Sequence, residues 1–252
     1  MRIGIVGLGL IGGSIFKALQ DKHELVGVSS SVQDENISDD YNTLRGCNLV
    51  FVCTPMSVTL GMLDKLEEYL SCDTIVTDVC SLKGFVSKKT YSYKFIPSHP
   101  MAGTENSGWD SSFPELFEGA KWVITPFEGK IIEEQETLVK VIESMGAKVI
   151  ITTPEEHDKA VALISHMPMV IAQALCENIK DNKLAQELAS SGFRDTTRLA
   201  LSNTQMATDM IAMNGVNISE ALNSLQDCLQ GLLTDVYSEK AKKIKEFRKG
   251  LY

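Results

Sequence analysis

The sequence predicts an α/β fold in two parts, an N-terminal doubly wound sheet followed by an all-α half, and three observations carry it. A short apolar run opens the chain, enters a glycine-rich turn and passes into a helical pattern. Apolar runs of strand length then recur through the first 152 residues, spaced by helix-length segments, as a parallel sheet requires. From Pro154 the strands vanish, and alanine, leucine and methionine recur at helical periods up to Phe247. This change of texture divides the chain between Thr152 and Thr153, into units of residues 1–152 and 153–252.

The first strand, residues 3–6, leads into Gly7-Leu8-Gly9-Leu10-Ile11-Gly12, a G-x-G-x-x-G turn. Gly7 lets the chain turn sharply off the strand, Gly9 leaves room for a phosphate, and Gly12 lets the next helix pack against the strand. A helix over 11–21 points its unpaired N–H groups and positive dipole end at an anion. A second strand over 24–28 completes a βαβ unit of Rossmann type, so the segment reads as a dinucleotide pyrophosphate cradle and not as a chance turn. Such folds usually end the second strand with an acidic residue for the ribose 2′-OH; here Ser29, Ser30 and Ser31 stand instead. Without a carboxylate nothing repels a 2′-phosphate, yet no arginine adjoins to bind one. NAD(P)+ is the expected cofactor, tipped slightly toward NADP, with a plain serine loop as the competing reading. Thr54 and Pro55, just beyond the strand over 48–53, are grouped with the cofactor residues.

Further strands are expected at 48–53, 74–78, 94–97, 121–125 and 147–152, with a helix capped by Ser57 whose stripe is Met62, Leu63, Leu66, Tyr69 and Leu70. In the second half, helices are expected over 154–179, 184–191, 195–213 and 219–247, broken at 180–182, Gly192 and Gly215. So much Met, Leu and Ala on helices predicts a homodimer through this half.

Composition narrows the function. At 252 residues and 44% hydrophobic content, the chain supports two cores. No run of 18 apolar residues appears and the N-terminus is already a core strand, so a cytoplasmic protein without a membrane partner is expected. The six cysteines occur singly, without C-x-x-C or a histidine cluster at ligand spacing, and are expected to be buried thiols, with no metal site. A net charge of −9 and a pI near 5.0 argue against nucleic acid. The basic stretch 240–249 reads as a solvated helix end.

Chemistry must come from polar groups at strand ends and in the helical half. Ser98-His-Pro-Met-Ala-Gly-Thr-Glu105 places His99 at a strand end before a rigid loop, and Asp78-Val-Cys-Ser-Leu-Lys83 brings Ser81 and the Lys83 ammonium to the same rim. His99 has a pKa suited to taking a hydroxyl proton, against a role bracing its turn. His166, before Pro168 in an apolar helix, reads from spacing alone as a core histidine. Arg198, among Phe193, Leu199 and Leu201, needs a carboxylate, from a substrate or from Asp195. Glu155, Glu156 and Asp158, around His157, read as the acidic first turn of a helix.

Taken together, Gly7-Leu-Gly-Leu-Ile-Gly-Gly-Ser14, D-V-C-S-L-K, S-H-P-M-A-G-T-E-x-S-G, E-E-H-D, S-H-M-P and G-F-R-D-T-T-R, in this order, make the chain resemble the prephenate dehydrogenase family, which includes arogenate dehydrogenases. The motifs run from Met1 to about Met213. The resemblance implies oxidative decarboxylation of prephenate to 4-hydroxyphenylpyruvate, or of arogenate to tyrosine, with NAD(P)+ as hydride acceptor, in tyrosine biosynthesis. It also implies a helical dimerisation domain. By position, His99 matches the catalytic histidine that holds the ring hydroxyl, Ser81 the serine that orients it, and Arg198 the arginine that grips a substrate carboxylate. His166, Glu105 and the adjacent Thr104 match pocket residues. A dianionic substrate on an acidic protein further implies a locally basic pocket, with Arg198, Lys83 and a histidine as its sources.

The chain departs from the family after Arg198, where S-D-P-x-M-W is common and Ser202-Asn-Thr-Gln-Met-Ala207 stands here, which changes the expected pocket wall. Ending at Tyr252, it is expected to have no room for an appended regulatory domain, so any feedback by tyrosine would have to act in the active site. Another dehydrogenase, of a hydroxy acid or imine, is disfavoured because the long helix after 154 offers only Lys159 as a catalytic lysine. A non-catalytic NAD(P) sensor leaves His99, Ser81 and Arg198 without a reason to occur together.

Overall fold

The computed structural model describes residues 1–104, 106–126, 133–233 and 237–251. Strands β1 (Arg2–Val6), β2 (Glu24–Val28), β3 (Ile37–Ser38), β4 (Leu49–Val52), β5 (Ile75–Asp78) and β6 (Lys94–Phe95) form one parallel sheet in the order β3-β2-β1-β4-β5-β6. The sequence reading had no strand at β3. Because successive side chains point to opposite faces, Ile3, Ile5, Leu49, Phe51 and Ile75 fill one core, while Val6, Val26, Val28, Val50, Val52 and Val76 fill the other. The crossover from β3 back to β4 leaves a crevice beyond the carboxyl ends of β1 and β4, where such sheets hold ligands.

Helix α1 (Leu10–Leu19) follows β1, and α2 (Met56–Leu66) follows β4. Ser57 does not cap α2. Pro55 occupies the N-cap, and the Ser57 N–H donates instead to Asp209 Oδ2 at 3.3 Å, a tie to the helical half. Tyr69 and Leu70 lie past the end of α2, though Leu70 is buried in the same core.

A second sheet forms where one continuous strand and a loop were expected. The chain leaves the first sheet at Pro97, which has no N–H to continue the ladder, and begins β7 (Ser98–Met101). His99 therefore sits inside a strand. Strand β7 pairs antiparallel with β8 (Lys121–Ile124), and β8 pairs parallel with β9 (Lys148–Ile151), which follows α3 (Glu133–Ser144).

In the second half, α4 (Pro154–Val161) opens with a capping box between Thr153 and Glu156. It runs through a π turn, Ala162–His166, into α5 (Met167–Asn178). Pro168 lacks the N–H that would bond Ile164, and its ring crowds that carbonyl, so the helix widens just before it. This stretch, Pro154–Asn178, is long and apolar enough to cross a membrane by length and composition alone. Its two histidines, His157 and His166, are both buried, while Glu155, Glu156 and Lys159 are exposed.

Helices α6 (Lys183–Leu188) and α7 (Ser191–Thr197) follow, then a 3₁₀ turn, Arg198–Leu201, and the long α8 (Thr204–Leu232) and α9 (Tyr237–Lys249). Both expected glycine breaks are displaced: the first falls at Ala189–Ser190, between α6 and α7, and the second is the kink at Asn214, one residue before Gly215. Gly192 lies in the first turn of α7, which starts after Ser190, and Gly215 lies inside α8, where an isolated glycine costs only about 1 kcal/mol. A further break falls at Asn203, whose side chain accepts the Met206 N–H at 3.0 Å as an N-cap. The kink in α8 is at Asn214 (φ −121°, ψ 15°). The basic α9 has no buried residue. Nor are all the thiols buried: Cys47 and Cys80 are, Cys53 and Cys176 are half-buried, and Cys72 and Cys228 are exposed, on a loop and on the outer side of α8.

The two sheets and the loop after β5 meet at Asp78. Its carboxylate binds the Lys83 ammonium, and neither side chain has any exposed surface. It also accepts the N–H groups of Cys80 (2.9 Å) and Ser98 (3.2 Å), while Lys83 Nζ donates to Ser98 O at 2.5 Å. The Ser98 hydroxyl accepts the Trp122 indole N–H at 3.0 Å, fixing β7 to β8. Replacing Lys83 by Met strands a buried carboxylate, and is expected to lower the unfolding free energy by about 3–5 kcal/mol in denaturant titration.

Candidate active site

At the cofactor end, Gly7 has φ +90°, and a Cβ there would lie 2.6 Å from Cys53 O. A Cβ on Gly12 would come within 1.9 Å of Gly7 O, whereas one on Gly9 would meet nothing within 4 Å. The cradle is thus closed to side chains at both ends and open in the middle. Helix α1 starts with Gly9 as N-cap, with no side-chain cap and no acidic residue in its first turn, so its end is left to an anion. These residues fit a dinucleotide. Leu8 is buried against Gly27, and Leu10 and Ile11 are half-buried at the helix entrance. Thr54, beside Gly7 across the crevice, pairs its hydroxyl with Thr59 at 2.8 Å, and Pro55 is exposed. The Ser29 hydroxyl accepts the N–H groups of Ser31 and Val32, each at 3.2 Å, which makes it a turn former; Ser30 and Ser31 are exposed.

At the chemical end, a chain of three side chains crosses from the second sheet to the helical half. His99 Nδ1 lies 3.0 Å from His157 Nε2, and His157 Nδ1 lies 2.8 Å from Asp158 Oδ1. The rings of His99 and His157 meet edge to face. Asp158 also accepts the N–H groups of Lys83 and Gly84, each at 2.8 Å. These two residues close the loop that carries Ser81. Among the described residues, neither His99 Nε2 nor the half-buried Ser81 hydroxyl has a hydrogen-bond partner. Burial, then the neighbouring charges of His157, Lys83 and His166, holds the His99 pKa well below its usual 6.5, so the ring is neutral at neutral pH.

His166 lies in the π turn, buried, with Nδ1 3.1 Å from Asn214 Nδ2. The same Asn214 amide donates to Asp158 O at 3.0 Å, while its oxygen accepts from Asn217 at 2.7 Å. His166 Nδ1 is therefore an acceptor and Nε2–H a donor, and Nε2 is buried without a partner among the described residues. Arg198 is exposed with no ion pair among the described residues; its expected competitor, Asp195, faces Arg194 instead at 3.5 Å. Thr104 is exposed, its hydroxyl accepting the Asn106 N–H at 3.2 Å in a turn. Glu105 lies outside the described residues.

The geometry corrects two expectations. Lys83 brings no free ammonium to the rim, because Asp78 neutralises it in the interior. Asp158 is not part of an acidic helix start, since Glu155 and Glu156 supply that turn and Asp158 faces His157 and the Ser81 loop. His157, Asp158 and Asn214 were missed. The signal for the first two lay in E-E-H-D: Glu156 completes the capping box, so the next carboxylate is left for another task.

The chain matches the family models for the nucleotide-binding domain of prephenate dehydrogenase (residues 15–151) and its dimerization domain (residues 153–250). It is 30% identical to the prephenate dehydrogenase of Lactococcus lactis subsp. cremoris, over 98% of this chain and 74% of that one. It is similar to the crystal structure of Synechocystis arogenate dehydrogenase, with a TM-score of 0.80 and 34% identity over 99% and 97% of the two chains. The prephenate dehydrogenase of Aquifex aeolicus, solved with hydroxyphenyl propionate and NAD+, superposes with a TM-score of 0.88 at 26% identity over 100% and 98%.

The buried histidines couple this site to stability. Burial pushes the His166 pKa down to about 4, against the raising effect of Asp158. The folded state thus resists protonation that the unfolded chain accepts near 6.5. Stability is full above pH 6.5 and falls as pH drops toward 4, by roughly 3 kcal/mol from this group at 1.36 kcal/mol per pH unit. Denaturant unfolding at pH 7 and 4.5 is expected to show this loss, and His166→Gln to reduce it.

Proposed function

Because the chain belongs to the prephenate dehydrogenase family, we propose that the site on His99 performs the family's oxidative decarboxylation: of prephenate to 4-hydroxyphenylpyruvate, or of arogenate to tyrosine. The chain is an NAD-dependent oxidoreductase of tyrosine biosynthesis. The observation that carries the placement is a neutral imidazole, held from behind by His157, whose Nε2 has no partner among the described residues beside the Ser81 loop.

A bound nicotinamide would supply the acceptor for the hydride of the ring carbon that bears the hydroxyl. His99 Nε2 takes the hydroxyl proton as that hydride leaves, and Ser81 orients the hydroxyl. The ring carboxylate then departs as CO2, its bonding electrons completing the aromatic ring, and the phenolate oxygen takes the proton back from His99. Arg198, free of Asp195, is available to hold a substrate carboxylate in charge-assisted hydrogen bonds. His166 offers its unpaired Nε2–H to the same pocket. With Lys83 neutralised, Arg198 carries the basic character of the site. Gly7 to Gly12 and the start of α1 would hold the pyrophosphate, Ser29 and Ser30 would face the ribose, and Thr54 and Pro55 would flank the crevice. The lean to NADP rests on the exposed hydroxyls of Ser30 and Ser31, since Ser29 is occupied in its turn.

Residues 1–152 serve the cofactor and 153–252 the substrate and the dimer. Support for a homodimer comes from the dimerization-domain match and from exposed Leu163, Ile164, Leu188, Leu201 and Val216 on the helices. A cytoplasmic location suits such an enzyme.

Purified protein assayed at 340 nm with prephenate and arogenate, each with NAD+ and NADP+, tests the reaction and resolves substrate and cofactor; no turnover in any of the four defeats it. His99→Asn is expected to lower kcat at least about a hundredfold while cofactor binding is kept. Arg198→Gln is expected to act mainly on KM, because its carboxylate contact exists in the ground state as well as the transition state.

A further inference from the structure

The contacts behind His99 determine where its proton sits. Ionised Asp158 is an acceptor only, and it takes the N–H groups of Lys83 and Gly84 at 2.8 Å each. At 2.8 Å from the same carboxylate, His157 Nδ1 must be a donor, since two acceptors repel at that distance. A neutral imidazole that donates from Nδ1 has a lone pair at Nε2, and to that lone pair of His157 His99 donates from Nδ1 across 3.0 Å. His99 Nε2 is left as a lone pair, the state a proton acceptor needs.

We propose that His157 and Asp158 are positioning residues that lock His99 in its Nδ1–H tautomer, with Nε2 ready to take a proton. The inference rests on the role given to His99 in the reaction. The hydrogen bonds of the Asp158 carboxylate all serve the lock. Two backbone N–H groups fix its carboxylate, and the Asn214 amide holds its carbonyl at 3.0 Å. A Cβ on Gly84 would lie 2.8 Å from Asp158 Oδ2 and push the carboxylate aside. Since Lys83 and Gly84 end the Ser81 loop, one carboxylate both orients the histidine pair and anchors the serine's loop.

The test reads the tautomer and its kinetic consequence separately. Long-range 1H–15N correlation spectra of 15N-histidine-labelled protein at pH 7.5, assigned with His99→Asn and His157→Gln, are expected to show His99 protonated on Nδ1. A proton on Nε2 overturns the proposal. His157→Leu removes the acceptor, whereas the amide of His157→Gln supplies both an acceptor for His99 and a donor for Asp158. The leucine variant is expected to lose about a hundredfold in kcat with KM changed less than about threefold, and the glutamine variant to stay within about tenfold of the parent. Equal losses in the two variants, or an unchanged kcat in His157→Leu, overturn the proposal. If His157→Leu does not fold, the spectrum of the parent protein decides alone. Absence of turnover by the parent on either substrate defeats the proposed reaction instead, and leaves the tautomer readable.

Discussion

The buried pair of Asp78 and Lys83 is the constraint on which the rest of the site depends. Two charges without exposed surface are a poor source of stability, because desolvation offsets much of their attraction. What they provide is position. Asp78 ends β5 in the first sheet, Ser98 begins β7 in the second, and Lys83 closes the loop between, so one set of polar contacts holds Ser81 and His99 on a common frame. An apolar cluster in the same place would pack as well without specifying which backbone atoms meet.

A second set of contacts joins that frame to the helical half. Asp158 reaches back to Lys83 and Gly84, and Asp209 accepts the Ser57 N–H at the start of α2. Both are carboxylates of the helical half accepting backbone N–H groups of the sheet half. Closing the halves together thus satisfies donors that would otherwise be buried or left to water. The site lies where this closure occurs, and His99 and His166 are neutral for the same reason: burial penalises their charged forms, at His166 by more than Asp158 compensates.

Much of this was legible in the sequence, and the limits have physical causes. The βαβ cradle was readable because glycine is demanded by sterics alone: Gly7 by its positive φ and Gly12 by a carbonyl 1.9 Å from where its Cβ would be. The switch to helices at Pro154 was readable from periodicity. The second sheet was not, because a two-residue β6 running into a four-residue β7 gives too short a pattern to separate from a strand and a loop. His99 and Arg198 stood out in the sequence through the family motifs, but Lys83 was misjudged, since a lysine near a rim and a lysine folded inward onto an aspartate look identical in one dimension. His157 and Asp158 were hidden for a related reason: acidic residues in a helix's first turn have a sufficient local explanation, and only the fold shows that one of them is used elsewhere.

The π turn before Pro168 has a consequence for the phase of the helix. Nine residues of unbroken α-helix rotate the chain by about 900°, which would set His166 on the face opposite His157. The wide turn at Ala162–His166 absorbs one extra residue and sets His166 back by about 100°, so that it comes within about 80° of His157 and shares Asn214 with Asp158. The helix is therefore one residue longer than its geometry needs, and the surplus is confined to residues 162–165. Without that wide turn the two histidines would face opposite sides of the helix, and Asn214 could not hold both His166 and the Asp158 carbonyl. An irregularity of length, usually confined to loops, is here built into one turn of a helix.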